Sequence, residues 1–113
     1  MFPNLNEANF PQAVLESPQP VLVHFWAPWC GLCRLIEPTL QKFQQDCDRR
    51  ITLVSVNADA SLKLASQHRL TVLPTLLLFE RGRVVHRLEG FRGRDDLQQA
   101  LDQIRTSLAL SSL

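Results

Sequence analysis

The sequence predicts an α/β domain in which helices cover both faces of a parallel or mixed β-sheet. Short apolar runs rich in β-branched residues alternate along the chain with amphipathic segments of helical period. Such alternation is typical of a sheet covered by helices. The chain has 113 residues, of which 45% are hydrophobic and 20% charged. This length and composition favour a single globular domain over residues 1–113.

The first two elements are a short helix and a buried strand. Asn4 or Asn6 can cap a helix that runs to about Glu16, with Pro11 in its first turn. The apolar face of this helix is predicted to consist of Phe10, Val14 and Leu15. After a cluster of helix breakers, the apolar run Val21–Trp26 predicts the central strand of the sheet.

The segment after this strand predicts a long helix over residues 33–47. The helix is expected to bend at Pro38, which has no backbone N–H to donate. Its apolar positions are Leu35, Ile36, Leu40 and Phe43. The run Ile51–Val56 alternates and is β-branched, so it predicts another strand.

A short helix and a hairpin follow in the second half of the chain. Asp59 or Ser61 can cap the helix, which ends near residue 67. Its apolar residues are Leu62, Leu64 and Ala65. The runs Thr75–Glu80 and Arg83–Leu88 flank the dipeptide Arg81-Gly82, which is a hairpin signal because glycine accepts a positive φ.

The last element is an amphipathic helix that opens at Arg94 or Asp95. Its apolar face is predicted to consist of Leu97, Leu101, Ile104 and Leu108. The residues after it, Ala109–Leu113, are expected to fray, as chain ends commonly do.

Cys30 and Cys33 lie where the central strand gives way to the long helix. A helix N-terminus offers unpaired backbone N–H groups and the positive end of the helix dipole, and both stabilise a thiolate. A thiolate attacks disulfides, and cysteines three residues apart on a helix are within disulfide reach. The motif therefore predicts a solvent-facing nucleophile, Cys30, and a deeper resolving thiol, Cys33.

Two other interpretations of this pair are weaker. A zinc site usually needs four ligands, whereas Cys47, His24, His68 and His86 occur singly along the chain. A purely structural disulfide would close a very short loop and constrain the unfolded chain little. Redox chemistry is therefore the favoured interpretation.

The segment around the cysteines resembles the active site of the thioredoxin family. The resemblance covers roughly residues 5–108. Its motifs are Trp26-Ala27-Pro28-Trp29-Cys30-Gly31-Leu32-Cys33-Arg34, the helix proline Pro38, the proline segment Val72-Leu73-Pro74-Thr75 with the strand after it, and the glycines Gly82 and Gly90. The resemblance implies the thioredoxin fold, with a central mixed sheet of four to five strands flanked by helices on both faces. The family's extra N-terminal strand would occupy residues 1–5 and contain Pro3, so it is expected to be weak or absent.

The resemblance also implies a substrate surface around the cysteines. It assigns substrate contacts to Trp29, Gly31, Leu32, Leu73, Pro74, Gly90 and Phe91. The Leu73-Pro74 bond would be cis, and the backbone of Leu73 would pair with an extended substrate. From the residues alone, Trp29 could equally be a core aromatic and Pro74 could merely begin a strand. Glu89 lies at the rim of this groove, either as a solvated charge or as a selector of basic partners.

Three residues depart from the family pattern. Leu32 replaces the usual proline between the cysteines and so returns a backbone N–H. His24 occupies the position of a buried aspartate, and Ser55 that of its lysine partner. His24 is interpreted either as a proton-transfer group for Cys33 or as a neutral core histidine hydrogen-bonded to backbone.

The favoured function is reduction of protein disulfides by an atypical thioredoxin, with disulfide target proteins and an NADPH- or ferredoxin-dependent thioredoxin reductase as partners. A disulfide oxidant or isomerase and a non-catalytic redox-sensing module remain alternatives. No bound cofactor or metal is expected. The net charge of +1 does not indicate nucleic-acid binding, and no apolar run approaches the ~20 residues of a membrane span. The chain is expected to be monomeric. It is also expected to be cytoplasmic, since the N-terminus lacks the features of a secretory signal and an odd number of cysteines suits a reducing compartment.

Overall fold

The computed structural model describes the backbone of residues 2–111 and the side chains of residues 2–108. Its elements are β1 (Asn4–Leu5), a π-helical segment (Pro11–Leu15), β2 (Val21–Trp26), α1 (Gly31–Leu35), α2 (Glu37–Asp46), β3 (Thr52–Asn57), α3 (Leu62–Gln67), β4 (Thr75–Glu80), β5 (Arg83–Leu88) and α4 (Arg94–Ser111). The strand order is β1-β3-β2-β4-β5. Strands β1, β3 and β2 are parallel, whereas β4 and β5 run antiparallel to their neighbours. The predicted α/β fold, with a mixed sheet of four to five strands, is confirmed.

One feature was predicted at each end of the chain, and the structure describes part of each of these two segments. The weak N-terminal strand over residues 1–5 is the two-residue β1, and Met1 lies outside the described residues. The backbone of α4 is helical to Ser111, beyond the start of the predicted frayed tail, and residues 112–113 lie outside the described residues.

The sheet separates two apolar layers because side chains alternate along each strand. On one face, Leu22, Leu53, Leu76 and Leu78 pack with Ile36, Leu40 and Phe43 of the long helical segment and with Leu97, Leu101 and Ile104 of α4. On the other face, Val21, Val23, Phe25, Val54, Val56, Leu77 and Phe79 pack with Phe10, Val14 and Leu64. Helices therefore cover both faces of the sheet, as the sequence predicts.

The long helix begins earlier than predicted and is broken at Ile36. It starts at Gly31 because Cys30 is its N-cap, whose sulfur accepts the backbone N–H of Cys33. The break arises because Pro38 has no N–H to donate to the carbonyl four residues earlier, so α1 and α2 are separate helices. The expected bend at Pro38 is thus present as an interruption two residues before the proline.

The predicted caps of the short helices also need correction. The helix predicted to run to about Glu16 is only the π-helical segment Pro11–Leu15, whose N-cap, Phe10, makes no side-chain hydrogen bond. Asn6 instead closes the turn before this segment, since its Oδ1 accepts the N–H groups of Ala8 and Asn9 at 2.9 and 3.0 Å. Neither Asp59 nor Ser61 caps α3 through its side chain. Instead Glu7, which is 56 residues away in sequence, accepts the N–H of Lys63 at 3.0 Å. A cap supplied from so far along the chain cannot be predicted from local sequence.

Three leucines predicted on apolar helix faces are exposed. Leu15 is 40% exposed, Leu35 is 47% exposed and Leu62 is 69% exposed. Each lies one or two residues from a buried apolar residue. A step of one residue turns about 100° around a helix axis, so these side chains fall outside the buried stripe.

The hairpin between β4 and β5 turns at Arg81 and Gly82, which both have positive φ, at 53° and 80°. A two-residue hairpin turn of this hand favours glycine. A Cβ atom at Gly82 would also lie 3.0 Å from the carbonyl oxygen of Leu15, at the end of the π-helical segment. Gly82 is therefore needed both for its backbone conformation and for a close backbone approach.

We expect Gly82→Ala to destabilise the protein by roughly 1–2 kcal/mol from the positive φ alone, with a further loss from the contact with Leu15. Gly90→Ala is the matched control, because Gly90 has a φ of 75° but no heavy atom near its would-be Cβ. Denaturant unfolding of the two variants measures the difference. If both lose the same stability, the close approach at Leu15 contributes nothing.

Candidate active site

The sheet brings several predicted site residues to one end of the molecule. Cys30 follows the carboxyl end of β2, and its N–H donates to the carbonyl of Ala27 at 3.0 Å in the intervening turn. Phe25 of β2 pairs with Thr75 of β4, so Pro74 lies at the same end of the sheet. The residues after Leu88 also emerge there, because Leu88 of β5 pairs with Leu76 of β4.

Cys30 and Cys33 form a disulfide across the first turn of α1, with their Cα atoms 5.3 Å apart. The backbone N–H of Cys33 donates to the sulfur of Cys30 at 3.1 Å. The donor is thus Cys33 rather than Leu32, the residue whose N–H the family proline would remove. A sulfur that accepts a helix N-terminal N–H is placed to be stabilised as a thiolate.

Cys30 is more buried in the disulfide form than the sequence predicted, whereas Cys33 is buried as expected. Cys30 was expected to face solvent, yet it is only 5% exposed, and Cys33 is 1% exposed. The side chain of Cys30 turns back over α1, where its sulfur bonds to Cys33 and accepts the Cys33 N–H. Most of the solvent-exposed surface of the pair belongs to Cys30, which is the cysteine predicted to attack the substrate first.

His24 is buried in the centre of the sheet, at 1% exposure. Its strand neighbours are Ser55 on β3 and Leu76 on β4. Strand alternation places it on the face of Leu22, which is covered by α2 and α4. Burial lowers the pKa of the imidazole to about 4, so His24 is neutral at physiological pH.

Neither ring nitrogen of His24 has a hydrogen-bond partner among the described residues. The hydrogen bond to backbone that a core histidine would make is therefore absent there. Ser55, the nearest polar neighbour across the sheet, directs its hydroxyl to the carbonyl of Pro3 at 3.3 Å. Because an unpartnered buried polar group costs stability, His24 is not explained by its contribution to the core.

The two tryptophans differ in exposure. Trp29, next to Cys30, is 67% exposed, and its indole N–H donates to Asp59 Oδ2 at 2.9 Å. Trp26 is partly buried, and its indole N–H donates to Asn4 Oδ1 at 3.2 Å. Trp29 is therefore a surface residue beside the cysteines and not a core aromatic.

Sequence reasoning missed Asp59, which holds the Trp29 ring. Asn57 Oδ1 accepts the N–H groups of Asp59 and Ala60 at 2.9 and 3.2 Å, and so fixes the turn after β3. The carboxyl ends of the parallel strands β2 and β3 lie side by side, which brings this turn next to the loop of Trp29. The sequence did contain a signal for this contact, because Asp59 is a polar residue in the turn directly after β3, which is parallel to the central strand β2.

The Leu73-Pro74 peptide bond is cis, as the family resemblance implied. Leu73 is partly buried and Pro74 is buried. The hydroxyl of Thr75 donates to the carbonyl of Val72 at 2.6 Å and closes the turn before β4. This segment is more than the start of a strand, because it forms a defined turn at the active-site end of the sheet.

The remaining predicted groove residues lie around the same end. Gly90 is exposed, with a φ of 75° and open space where a Cβ would be. Phe91 and Leu32 are partly buried and pack against the core on the side of α2 and α4. Glu89 pairs with Arg87, at 3.2 Å between Oε1 and Nε, so its charge is already balanced. Gly31 opens α1 with free space around its would-be Cβ.

Cys47 is the free thiol of the described residues and caps the C-terminus of α2. Burial raises the pKa of the Cys47 thiol, with Asp46 and Asp48 acting in the same direction and Arg105 against it. A raised pKa leaves less thiolate and therefore a slower reaction.

We expect Cys47 of the reduced protein to be alkylated by iodoacetamide at neutral pH more slowly than Cys30, and Cys47→Ser to retain turnover. Mass mapping of a timed reaction gives the order of modification. The assignment of Cys30 as nucleophile would be wrong if Cys47 were modified first or if Cys47→Ser were severely impaired.

The described residues contain neither a metal-binding cluster nor a membrane-spanning helix. No group of three or more His, Cys, Asp or Glu side chains is arranged to hold a metal ion among them. Within the same part of the chain, no helix combines the length and apolar character that crossing a bilayer demands.

Comparison with known proteins agrees with the geometry. The thioredoxin family model matches residues 2–103. Thioredoxin 1 of Nostoc sp. is 38% identical over 99 residues, which are 88% of this chain and 92% of the relative. Thioredoxin 1 of Synechococcus elongatus is 39% identical over 99 residues, with the same coverage of 88% and 92%. Thioredoxin of Alicyclobacillus acidocaldarius is 38% identical over 100 residues, which are 88% of this chain and 94% of the relative.

Proposed function

Since this chain belongs to the thioredoxin family and is a thiol–disulfide oxidoreductase, we propose that it acts as a reductase of protein disulfides. The observation that carries the proposal is the Cys30–Cys33 disulfide at the start of α1, with the Cys33 N–H donated to the Cys30 sulfur. This arrangement provides a stabilised attacking thiolate and a second thiol within bonding distance of it.

The proposed reaction has two exchanges. The Cys30 thiolate attacks one sulfur of a target disulfide, which forms a Cys30–target mixed disulfide and releases the other target sulfur as a thiolate. Cys33 then loses its proton and attacks the Cys30 sulfur, which forms the Cys30–Cys33 disulfide and expels the second target sulfur. The target gains two electrons and two protons, and the protein is left oxidised. A separate reductase then returns it to the dithiol.

We further propose that His24 receives the proton that Cys33 loses in the second exchange. His24 is neutral, lies on the sheet face covered by the active-site helix and has no hydrogen-bond partner among the described residues, so its unprotonated ring nitrogen is free to accept a proton. Burial alone makes it a weak base, but the thiolate that forms at Cys33 favours a positive charge nearby and offsets part of that burial cost.

The proposed substrate surface consists of Trp29, Gly31, Leu32, Leu73, Pro74, Gly90 and Phe91 around the disulfide. Their placement at one end of the sheet supports this role, with the exposed ring of Trp29 and the open backbone of Gly90 nearest to solvent. We propose a cytoplasmic monomer that needs no bound cofactor and draws electrons from a thioredoxin reductase, either NADPH- or ferredoxin-dependent.

Insulin reduction tests the proposed activity. With NADPH and an NADPH-dependent reductase, or with reduced ferredoxin and its reductase, we expect catalytic precipitation of the insulin B chain. The reduction potential of the Cys30–Cys33 pair, measured against glutathione, should be low enough to reduce insulin. A high potential with efficient oxidation of reduced substrates would instead identify an oxidant or isomerase. No turnover with either reductase or with dithiothreitol would identify a non-catalytic module.

A further inference from the structure

The two edges of the described sheet differ greatly in length. One edge is β1, which has only two residues, and the other is β5, which has six. Val84 and Val85 on β5 are 44% and 43% exposed. An edge strand presents unpaired N–H and C=O groups that can pair with another extended chain. The segment Arg81–Leu88, named here the β5 edge, is thus the long open edge of this sheet.

The β5 edge and the residues after it are rich in arginine. Residues 81–94 contain five of the ten arginines of the chain against one glutamate, with Glu80 directly before this range and Asp95 and Asp96 directly after it. Arg87 is occupied, since it pairs with Glu89 and donates to the carbonyls of His68 and Arg69 at 2.7 and 2.9 Å. The other four arginines make no ion pair among the described residues. They are Arg81, Arg83, Arg92 and Arg94.

A depression of about 620 Å³ adjoins the turn end of the β5 edge. Arg81, Arg83 and Val85 line it together with Pro18 and Pro20. Glu80 also borders it, so its rim carries two cations and one anion. The depression can receive a side chain from a strand added along β5, and its charge favours an acidic one.

A second copy of this chain is a poor occupant of the edge. Pairing two β5 strands would bring the arginines of both copies along one seam, and like charges across a strand pair are destabilising. A bulge at the register step between Leu78 and Phe79 leaves Val85 as an extra residue and twists the strand. A flexible peptide can adjust its conformation to this bulge.

We propose that the β5 edge binds an extended acidic segment of a partner protein as an added strand. The backbone of β5 would supply hydrogen bonds, and Arg81 and Arg83 would supply the charge selection. The surface contains no residue of the cysteine pair, and Arg81 and Arg83 lie at the opposite end of β5 from the active site. The proposal therefore does not rest on the proposed reductase activity.

Fluorescence anisotropy with a labelled decapeptide of alternating Glu and Thr tests the proposal on the Cys30→Ser/Cys33→Ser protein. This protein lacks the Cys30–Cys33 pair, and the peptide contains no cysteine, so binding is measured without the redox chemistry. We expect Arg81→Gln/Arg83→Gln to weaken binding about fivefold or more, given the modest strength of exposed ion pairs. The matched control is Arg49→Gln/Arg50→Gln, which removes the same charge from exposed positions and likewise includes one positive-φ arginine.

Peptide controls separate strand addition from simple charge attraction. A Glu-Pro peptide of equal charge cannot form a strand and should bind at least about fivefold more weakly, because proline removes N–H donors. A Lys-Thr peptide should not bind. Amide exchange of β5 should slow when the Glu-Thr peptide is bound.

The proposal would be overturned by equal binding of the Glu-Pro peptide, by equal losses in the two arginine double variants, or by exchange protection at position 30 and Trp29 instead of β5. Concentration-dependent dimerisation through β5, detected by sedimentation, would also overturn it in favour of a second copy. Failure of the Glu-Thr peptide to bind the wild-type surface at low salt would overturn it outright.

Discussion

Cys33→Ser is expected to lose disulfide-reducing turnover by roughly three orders of magnitude or more, because the second exchange loses its intramolecular thiol. The first exchange should survive. Cys30 keeps its place as the N-cap of α1, and the backbone N–H at position 33 that donates to its sulfur does not depend on the side chain there. The variant should therefore accumulate as a covalent mixed disulfide with its substrate.

Two further variants make this result specific. Cys30→Ser should neither turn over nor form an adduct, and Cys47→Ser should behave like the parent protein. Mass spectrometry of the trapped species locates the partner sulfur. An adduct on Cys47, or normal turnover in Cys33→Ser, would show that the roles assigned to the cysteines are wrong.

The elements that the sequence predicted well are those with strong periodic patterns. Val21–Trp26, Thr75–Glu80 and Arg83–Leu88 coincide with β2, β4 and β5 at both ends. Each is a short apolar or β-branched run bounded by proline, glycine or a turn. The parallel order of β3 and β2 follows because a helix connects them.

What the sequence could not predict depends on contacts between distant residues. The cap of α3 comes from Glu7, and the ring of Trp29 is held by Asp59. Both pairs form only after the sheet has brought separate loops together. Local patterns likewise could not decide which of Leu62 and Leu64 faces the core, and the structure exposes Leu62 and buries Leu64.

The sequence predicted which residues form the site better than it predicted their burial and hydrogen bonding. The cis bond before Pro74 and the pairing of Cys30 with Cys33 agree with expectation. The exposure of Cys30 does not, because sequence does not record how a side chain turns back over its own helix. The sequence also could not predict that His24 has no hydrogen-bond partner among the described residues, since this depends on where Ser55 directs its hydroxyl.

The stability of the protein is expected to fall as pH decreases below 6.5, by roughly 3 kcal/mol in all as pH approaches 4. Burial lowers the pKa of His24 from 6.5 to about 4, so over this interval the unfolded chain binds a proton that the folded protein does not. Well above pH 6.5, His24 is neutral in both the folded and the unfolded state, so this loss of stability is absent. The pKa of His68 is lowered by burial and by Arg87, which adds to the loss in the same direction.

Denaturant unfolding across this pH range measures the effect. His24→Leu removes the buried imidazole and should flatten most of the pH dependence of stability. His86→Gln replaces a histidine at a partly exposed position and serves as the control. Any dependence of the unfolding free energy on pH that remains in His24→Leu should disappear when His68 is also replaced. A parent protein whose stability is constant from pH 7 to pH 4 would contradict the burial argument.

The same variant separates a proton-transfer role of His24 from a packing role. If His24 accepts the Cys33 proton, His24→Leu should slow the resolution of the mixed disulfide while the attack of Cys30 on substrate keeps its rate. Rapid-mixing kinetics resolve the two steps, because adduct formation precedes substrate release. A packing role alone predicts that both steps change together or not at all, and that stability changes without any shift in the pH profile of resolution. Resolution at the parent rate in a well-folded His24→Leu protein would assign His24 to packing.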